Sequence, residues 1–334
     1  MRYIETLREG ERIQEIYLCR QRTTAMTKTG KEYENVILQD KTGSLDAKIW
    51  DPHSMGIDEF DALDYVEVNG DVTVFNGQTQ LSIKRARKIS ETDVDPTNYL
   101  PCTNKNIDEM MMELTKFIAG VNNPYYKQVL TKLFIDNTEF AEAFKKHSAA
   151  KSVHHGFIGG LLEHTLSVAK MCDFFAKQYP ILNRDLLMTS AICHDIGKVY
   201  ELSDFPMNDY TDAGQLLGHI VMGSEMLGKI MDSIPDFPTK LKNELKHCIL
   251  AHHGELEYGS PKKPALIEAM ALNLADNADA KIETMTELLN SNSSASSDQW
   301  LGYNRLLETN VRKTSELKIK IELFLVLIHQ PYQR

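Results

Sequence analysis

The chain has 334 residues, of which 42% are hydrophobic, 25% charged and 8% aromatic; this balance excludes an intrinsically disordered protein and indicates two or three folded domains. No apolar run approaches the roughly 18 residues that cross a bilayer. The charged start MRYIETLREGERI lacks the apolar core of a secretory signal. The five cysteines form no CxxC pair. We therefore expect a cytoplasmic protein with reduced thiols and no membrane partner, whose net charge of −10 argues against a basic surface over the whole molecule.

The first 90 residues are predicted to form strands, because they are rich in β-branched and aromatic residues between turn signals. The strands are expected at 13–19, 34–39, 44–50, 64–74 and 80–89. Asn76-Gly77 is a strong two-residue hairpin signal, since both residues tolerate positive φ. Five short strands favour a small barrel, either an OB-fold, which is the leading interpretation, or an SH3-like barrel.

Residues 92–106 are polar, contain two prolines and show no period, so they are predicted to be a linker. The predicted division is 1–90 for the barrel, 91–106 for the linker and 107–334 for an all-α domain. Asn137 or Thr138 is expected to cap the third helix. The polar run at 290–297 predicts a mobile loop. Helices are predicted at 107–121, 125–135, 138–147, 160–178, 184–194, 214–233, 240–253, 264–289, 298–314 and 315–329.

Histidines are concentrated in one part of the helical region, where eight of the eleven lie between His154 and His253. Several sit with aspartates in apolar surroundings, where an uncompensated polar group is costly to bury. Neutral imidazole nitrogens and carboxylate oxygens are good ligands for divalent transition metals. The sequence therefore predicts a metal site made of His164, His194, Asp195, His219, His252, His253 and Asp276.

The order H…HD…H…HH…D resembles the HD-domain superfamily of metal-dependent phosphohydrolases. The resemblance implies that His164, His194, Asp195 and Asp276 hold one ion. It also implies a second ion on His219, His252 and His253, with Asp195 bridging the two; one or two ions both stay open. Two metal ions can lower the pKa of a water molecule and neutralise the charge that develops on a phosphate.

Three further positions near these residues are candidates for contact with substrate. Lys198 would lie on the same helical face as Asp195 if the helix continues, where it could contact the scissile phosphate or the leaving oxygen. His154 and His155 precede the first ligand helix and are candidates for outer-shell or substrate contacts. Gly160 belongs to a Gly-Gly pair that permits a tight turn or the close approach of a phosphate.

A barrel next to a phosphodiesterase site suggests a nucleic-acid substrate, because such barrels stack bases on aromatic rings and guide the backbone with basic residues. Two stretches, 17–31 and 81–88, carry four basic residues each and no acid. The alternative is that these stretches are only solvated strand edges. The predicted contacts are Tyr17, Arg20, Arg22, Lys28, Lys31, Tyr33, Trp50, Phe75, Lys84 and Arg85.

The whole-chain order resembles the YhaM-type 3'–5' exoribonucleases, which join an OB-fold to an HD domain. The stretches that carry the resemblance are LQDKTGSLDAKIWD, HHGFIGGLLEHTLSVAK and HDIGK. The resemblance implies that the protein trims single-stranded RNA from the 3' end with manganese or a similar divalent ion, and single-stranded DNA is a further candidate substrate. Two other functions stay open: hydrolysis of a small nucleotide, and single-strand binding with a structural HD domain. A homo-oligomer through the Met-rich segment at 108–114 is also open.

Overall fold

The computed structural model describes residues 1–151, 155–291 and 299–315. The chain divides into two compact units, one running from Met1 to Asn277 and the other beginning at Ala278. Within the described residues, no helix is both long and apolar enough to cross a membrane.

The N-terminal strands close into a five-stranded barrel. The strands are β1 (Arg12–Met26), β2 (Glu32–Asp40), β3 (Gly43–Ile49), β4 (Tyr65–Phe75) and β5 (Gln78–Ile89). Their order is β1-β2-β3-β5-β4, with β4 paired back to β1. The β3–β5 pair is parallel and the other pairs are antiparallel. This closed arrangement confirms the predicted OB-fold.

Alternation along the strands fills the barrel interior. In β3 the side chains of Leu45, Ala47 and Ile49 are buried while their neighbours point outward, as a period of two requires. The predicted hairpin turn joins β4 to β5, and both Asn76 and Gly77 have positive φ there.

The segment between the barrel and the first helix is more ordered than a polar linker. It contains two short 3₁₀ turns, Glu91–Asp93 and Pro96–Asn98, followed by the buried side chains of Tyr99 and Leu100. These two pack in one apolar cluster with Leu18 and Tyr65 of the barrel and with Ile158 of the helical region. The predicted boundaries at residues 90 and 106 stay a prediction, but the segment is fixed to both neighbours.

Nine α-helices lie between residues 107 and 291 in the part of the chain that the structure describes. Four of them begin at an asparagine whose side chain accepts backbone N–H bonds, including Asn137, one of the two predicted caps. The helices are α1 (Ile107–Ala119), α2 (Pro124–Phe134), α3 (Thr138–Lys146), α4 (Gly160–Gln178), α5 (Arg184–Cys193), α6 (Lys198–Glu201), α7 (Asp212–Asp232), α8 (Thr239–Leu250) and α9 (Ile267–Ser291).

Helix α5 lies at the centre of the helical core. Its side chains from Leu186 to Cys193 are all buried, which matches a segment whose polar side chains are limited to the small Thr189 and Ser190. The residues that follow it, His194 and Asp195, are therefore carried into the interior, where they are at most 2% exposed.

The prediction of a helix at 298–314 is wrong. An antiparallel hairpin occupies this stretch, with strands β6 (Trp300–Asn304) and β7 (Thr309–Arg312). The side chain of Asn304 accepts hydrogen bonds from the backbone N–H groups of Leu306 and Leu307, which stabilises a turn in place of a helix.

The predicted loop at 290–297 is wrong at its start, because Asn290 and Ser291 belong to α9. The rest of that loop, and the predicted helix beyond residue 315, lie outside the described residues.

Candidate metal centre

The seven predicted metal ligands come together from five elements of the first unit. Helix α4 supplies His164, the end of α5 supplies His194 and Asp195, and α7 supplies His219. The turn after α8 supplies the His252-His253 pair, and α9 supplies Asp276. The fold therefore gathers residues that are more than 100 positions apart in the sequence.

One half of the centre joins His164, His194 and Asp276. One ligand atom from each lies within 4.8 Å of the others. The Nε2 atom of His164 is 3.1 Å from Oδ1 of Asp276 and 3.1 Å from Nε2 of His194. The ring of His194 donates its Nδ1 proton to the carbonyl oxygen of Ala191 at 2.8 Å. Its Nε2 lone pair is therefore directed into the cluster.

The other half of the centre joins His219, His252 and His253, again within 4.8 Å. The Nδ1 atom of His252 donates to the carbonyl oxygen of Ile249 at 2.7 Å, and that of His253 donates to Tyr258 at 2.8 Å. In a neutral imidazole these bonds leave Nε2 as the free acceptor, which is the form that binds a metal.

Asp195 lies between the two halves, and its two oxygens face different histidines. Oδ2 is 3.5 Å from Nε2 of His164 and 3.4 Å from Nε2 of His194. Oδ1 is 3.4 Å from Nε2 of His219 and 3.6 Å from Nε2 of His252. A carboxylate in this position can contact two ions at once.

Three buried atoms at this point lack a hydrogen-bond partner: Oδ1 of Asp195, Nε2 of His219 and Nε2 of His252. An unsatisfied buried polar atom costs about 1–3 kcal/mol, and these three converge on the same space. Carboxylate oxygen and imidazole nitrogen are also the donor types that divalent transition metals prefer. The residues present therefore fit a metal ion.

The electrostatics favour ionised carboxylates and, at His194 and His253, neutral imidazoles. Burial lowers the pKa of His194 and that of His253 to about 4. Burial alone would raise the pKa of Asp195, but Lys198 and the surrounding histidines hold it well below its ordinary value. The pKa of Asp276 is also lowered, because His164 and its neighbours outweigh burial. Asp195, Asp276, His194 and His253 are thus in the protonation state that a metal ligand requires, whereas the nearby Asp195 and Asp276 carboxylates raise the pKa of His252 despite its burial.

Lys198 contacts the centre, although not through a continuous helix. Helix α5 ends at Cys193 and α6 begins at Lys198, so the condition that the helix continues past Asp195 is not met. Even so, Nζ of Lys198 lies 2.8 Å from Oδ2 of Asp195. This ion pair fixes the ammonium at the edge of the ligand cluster.

The other predicted neighbours differ in their placement. His155 is buried beside His164, with ring centroids 5.4 Å apart. Gly160 approaches backbone and not an open site, because a Cβ there would lie 2.0 Å from the carbonyl oxygen of His155. The close approach predicted at Gly160 is therefore one between chain segments. His154 lies outside the described residues.

Two residues that the sequence analysis did not single out hold the ligands in place. Glu201 accepts hydrogen bonds from both the backbone and the ring of His219, each at 2.9 Å. Asn273 donates to the carbonyl oxygen of His252 at 2.8 Å. The spacing of three residues from Asp195 to Lys198, and again to Glu201, is a signal that could have pointed to Glu201.

The barrel presents one aromatic pair at its surface. The rings of Tyr33 and Trp50 stack with centroids 5.3 Å apart, and Nζ of Lys48 lies 5.5 Å from the ring of Tyr33. Trp50 is 48% exposed and Phe75 is 64% exposed, so both are accessible to a base. Among the predicted basic contacts, Arg20, Lys28, Lys31, Lys84 and Arg85 are exposed.

Two predicted contacts in the barrel are wrong. Tyr17 is completely buried, and its hydroxyl donates to the carbonyl oxygen of Arg2, so it cannot stack on a base. Arg22 makes a bidentate pair with Glu34 at 2.8 and 2.9 Å, and its guanidinium lies 4.1 Å from the Phe60 ring centroid. These contacts occupy the guanidinium that a phosphate would need.

The second basic stretch, 81–88, is largely paired with acids from β4 and its surroundings. The pairs are Lys84 with Asp71, Arg87 with Glu67 and Lys88 with Asp64. Absence of acids along a strand therefore does not predict a free positive surface, because the neighbouring strand supplies them.

Comparison with known proteins supports the same family. A family model described as "HD domain" matches residues 161–281. The chain is 35% identical over 281 residues to the 3'-5' exoribonuclease YhaM of Bacillus subtilis, covering 84% of this chain and 88% of that protein. The Bacillus velezensis protein of the same name is 34% identical with the same coverage.

Among solved structures, the HD domain of the Listeria monocytogenes phosphodiesterase PgpH matches 52% of this chain and 84% of that one. Its identity is 20% and its TM-score is 0.27. The two YhaM proteins match 84% of this chain at 34–35% identity, which is enough to show the family. The chain therefore belongs to the YhaM family of 3'–5' exoribonucleases.

Proposed function

We propose that this chain is a metal-dependent 3'–5' exoribonuclease that degrades single-stranded RNA to nucleoside monophosphates, with single-stranded DNA as a second substrate. The observation that carries the proposal is the position of Asp195, whose two oxygens face two separate groups of histidines. The activity and its direction follow the names of the relatives.

The proposed ligands for one ion are His164, His194 and Asp276, and those for the other are His219, His252 and His253. Asp195 would be a ligand of both ions. We propose two ions, with manganese as the metal. When bound, such ions lower the pKa of a water molecule and neutralise charge on the phosphate.

The chain's own residues orient these ligands and the substrate. Backbone carbonyl groups hold the Nδ1 protons of His194, His252 and His253 and thereby fix the orientation of each ring. Lys198, held by Asp195, places a positive charge beside the ligand cluster. From there its ammonium can contact a phosphate oxygen and stabilise the charge that develops during cleavage.

In the barrel, Tyr33 and Trp50 are the proposed stacking surface for bases upstream of the 3' end. Both rings are accessible in part, they stack on each other, and Lys48 adds a positive charge beside them. Stacking of this kind tolerates any base, as an enzyme that shortens RNA of any sequence requires. A homo-oligomer stays a prediction.

The test is a single-stranded RNA labelled at its 5' end and incubated with the protein and Mn²⁺. We expect a ladder that shortens from the 3' end and disappears when a chelator is added. Nucleoside monophosphates should accumulate in step with the ladder. Intact RNA together with hydrolysis of a small nucleotide would instead support the alternative of a nucleotide hydrolase.

A further inference from the structure

We propose that Glu201 is a positioning residue for His219 and thereby sets the affinity of the second metal position. The proposal rests on the two-metal centre of the proposed function and adds a residue outside its ligand set. Glu201 is 9% exposed and ends α6, which begins at Lys198. Helix α6 therefore carries one residue that contacts Asp195 and another that contacts His219.

Glu201 contacts His219 twice, and the first of these contacts is with its backbone, at a break in helix α7. Within α7, Gly218 has φ 73° and ψ 156°, a conformation that is not helical and that favours glycine. The break frees the backbone N–H of the next residue, His219, from the regular helical pattern. Oε1 of Glu201 accepts that N–H at 2.9 Å. The carboxylate thus stabilises the bend that turns His219 toward the centre.

The second contact fixes the ring. The same Oε1 atom lies 2.9 Å from Nδ1 of His219. A carboxylate oxygen can only accept, so Nδ1 carries the proton and Nε2 presents its lone pair. That Nε2 atom is 3.4 Å from Oδ1 of Asp195 and has no hydrogen-bond partner. Glu201 therefore selects both the tautomer and the direction that metal binding needs.

The backbone of Glu201 is itself held firmly. Its carbonyl oxygen accepts a hydrogen bond from the backbone N–H of Thr211 at 2.9 Å. A Cβ at Gly214 would lie 2.1 Å from the same oxygen, so only glycine allows α7 to pack this closely. The carboxylate is consequently placed by the packing of α6 against α7, and its position does not depend on a mobile loop.

The experiment is a calorimetric titration of metal-free protein with Mn²⁺, using wild type, Glu201→Ala and Glu201→Gln. In Glu201→Ala we expect one of two sites to weaken about 10- to 100-fold while the other keeps its affinity. Glu201→Gln should retain most of the affinity, because its amide oxygen can accept both bonds. The matched control is Glu268→Gln, since Glu268 is also buried and accepts a backbone N–H, that of Asn183, at 2.7 Å.

A second measurement separates positioning from a structural role. Nitrogen chemical shifts of the His219 ring should report a proton on Nδ1 in wild type and a mixture of tautomers in Glu201→Ala. Unchanged Mn²⁺ affinity at both sites would overturn the proposal, as would an equal loss at both sites with a lower unfolding temperature of the metal-free protein. Wild-type protein that binds fewer than two ions would overturn the two-metal function itself, and the inference with it.

Discussion

The ammonium of Lys198 lies 2.8 Å from Oδ2 of Asp195, the oxygen that also faces His164 and His194. Burial would lower the pKa of Lys198, but Asp195 raises it above its ordinary value, so the side chain stays charged. A charged lysine at this point repels metal ions and attracts phosphates. Its contribution should therefore be to catalysis and not to metal binding.

Replacing Lys198 with alanine should separate these two effects. We expect kcat on single-stranded RNA to fall about 10²- to 10³-fold, with no weakening of Mn²⁺ binding. Steady-state kinetics and calorimetry measure the two quantities. The control is Lys170→Ala, because Lys170 also pairs with an acid, Glu113, at 2.8 Å but is half exposed on α4. A loss of bound metal in Lys198→Ala would contradict the prediction.

Replacing Asp195 with asparagine should affect both ions together. The change keeps the size of the side chain but removes the charge that faces both groups of histidines, so the affinity of each site should fall more than about 100-fold, the upper range for outer-shell residues. Metal content per chain and the RNA ladder are the measurements. Asp209→Asn, at an exposed ion pair with Lys151, is the control. Loss of only one ion would show that Asp195 does not bridge.

The two tryptophans provide a matched test of the barrel surface. Trp50→Ala should weaken binding of single-stranded RNA by about 1–3 kcal/mol, the range for one stacked base. Trp300→Ala should leave it unchanged, although Trp300 is also 62% exposed, because it lies in the β6–β7 hairpin. Fluorescence anisotropy with labelled RNA, in the presence of chelator to prevent cleavage, compares them. Equal losses in both variants would exclude a stacking role specific to Trp50.

Arg20 and Arg22 should behave differently although they lie two residues apart. Arg22→Ala leaves Glu34 without its bidentate partner and should lower the free energy of unfolding by about 1–3 kcal/mol. Arg20 is exposed, so Arg20→Ala should instead weaken RNA binding and reduce its salt slope by about one. Denaturant titrations and salt-dependent binding distinguish the two. An unchanged salt slope in Arg20→Ala would mean that this edge is only solvated surface.

The sequence predicted the strands and most helices of this protein because period and turn chemistry are local properties. Gly160 and Gln178 were placed at the two ends of α4, and Asn76-Gly77 at the turn after β4. The order of His164, His194 and Asp195 also predicted a set of residues that the fold brings together. Their roles as metal ligands stay a prediction.

The failures have a common physical cause, which is that they depend on partners from distant segments. Tyr17 is an aromatic residue of the kind that stacks on bases, but the strand register directs its side chain into the barrel core. Arg22 is basic in sequence, yet Glu34 on the next strand neutralises it. The role of Glu201 depends on its contact with His219, which α7 supplies from 18 residues further along the chain. The hairpin of β6 and β7 is the exception, because its cause is local: turn chemistry at Asn304 competes with a helical pattern.

The apolar cluster of Leu18, Tyr65, Tyr99, Leu100 and Ile158 limits how this molecule can be dissected. A helical fragment made by cutting the chain near residue 90 would expose Tyr99, Leu100 and Ile158 to water, and such fragments tend to aggregate. Loss of activity in a truncated protein could then result from aggregation, so it would not show that the barrel binds RNA. Point variants at the barrel surface leave this apolar cluster intact. They are therefore the better way to separate the contribution of the barrel from that of the helical region.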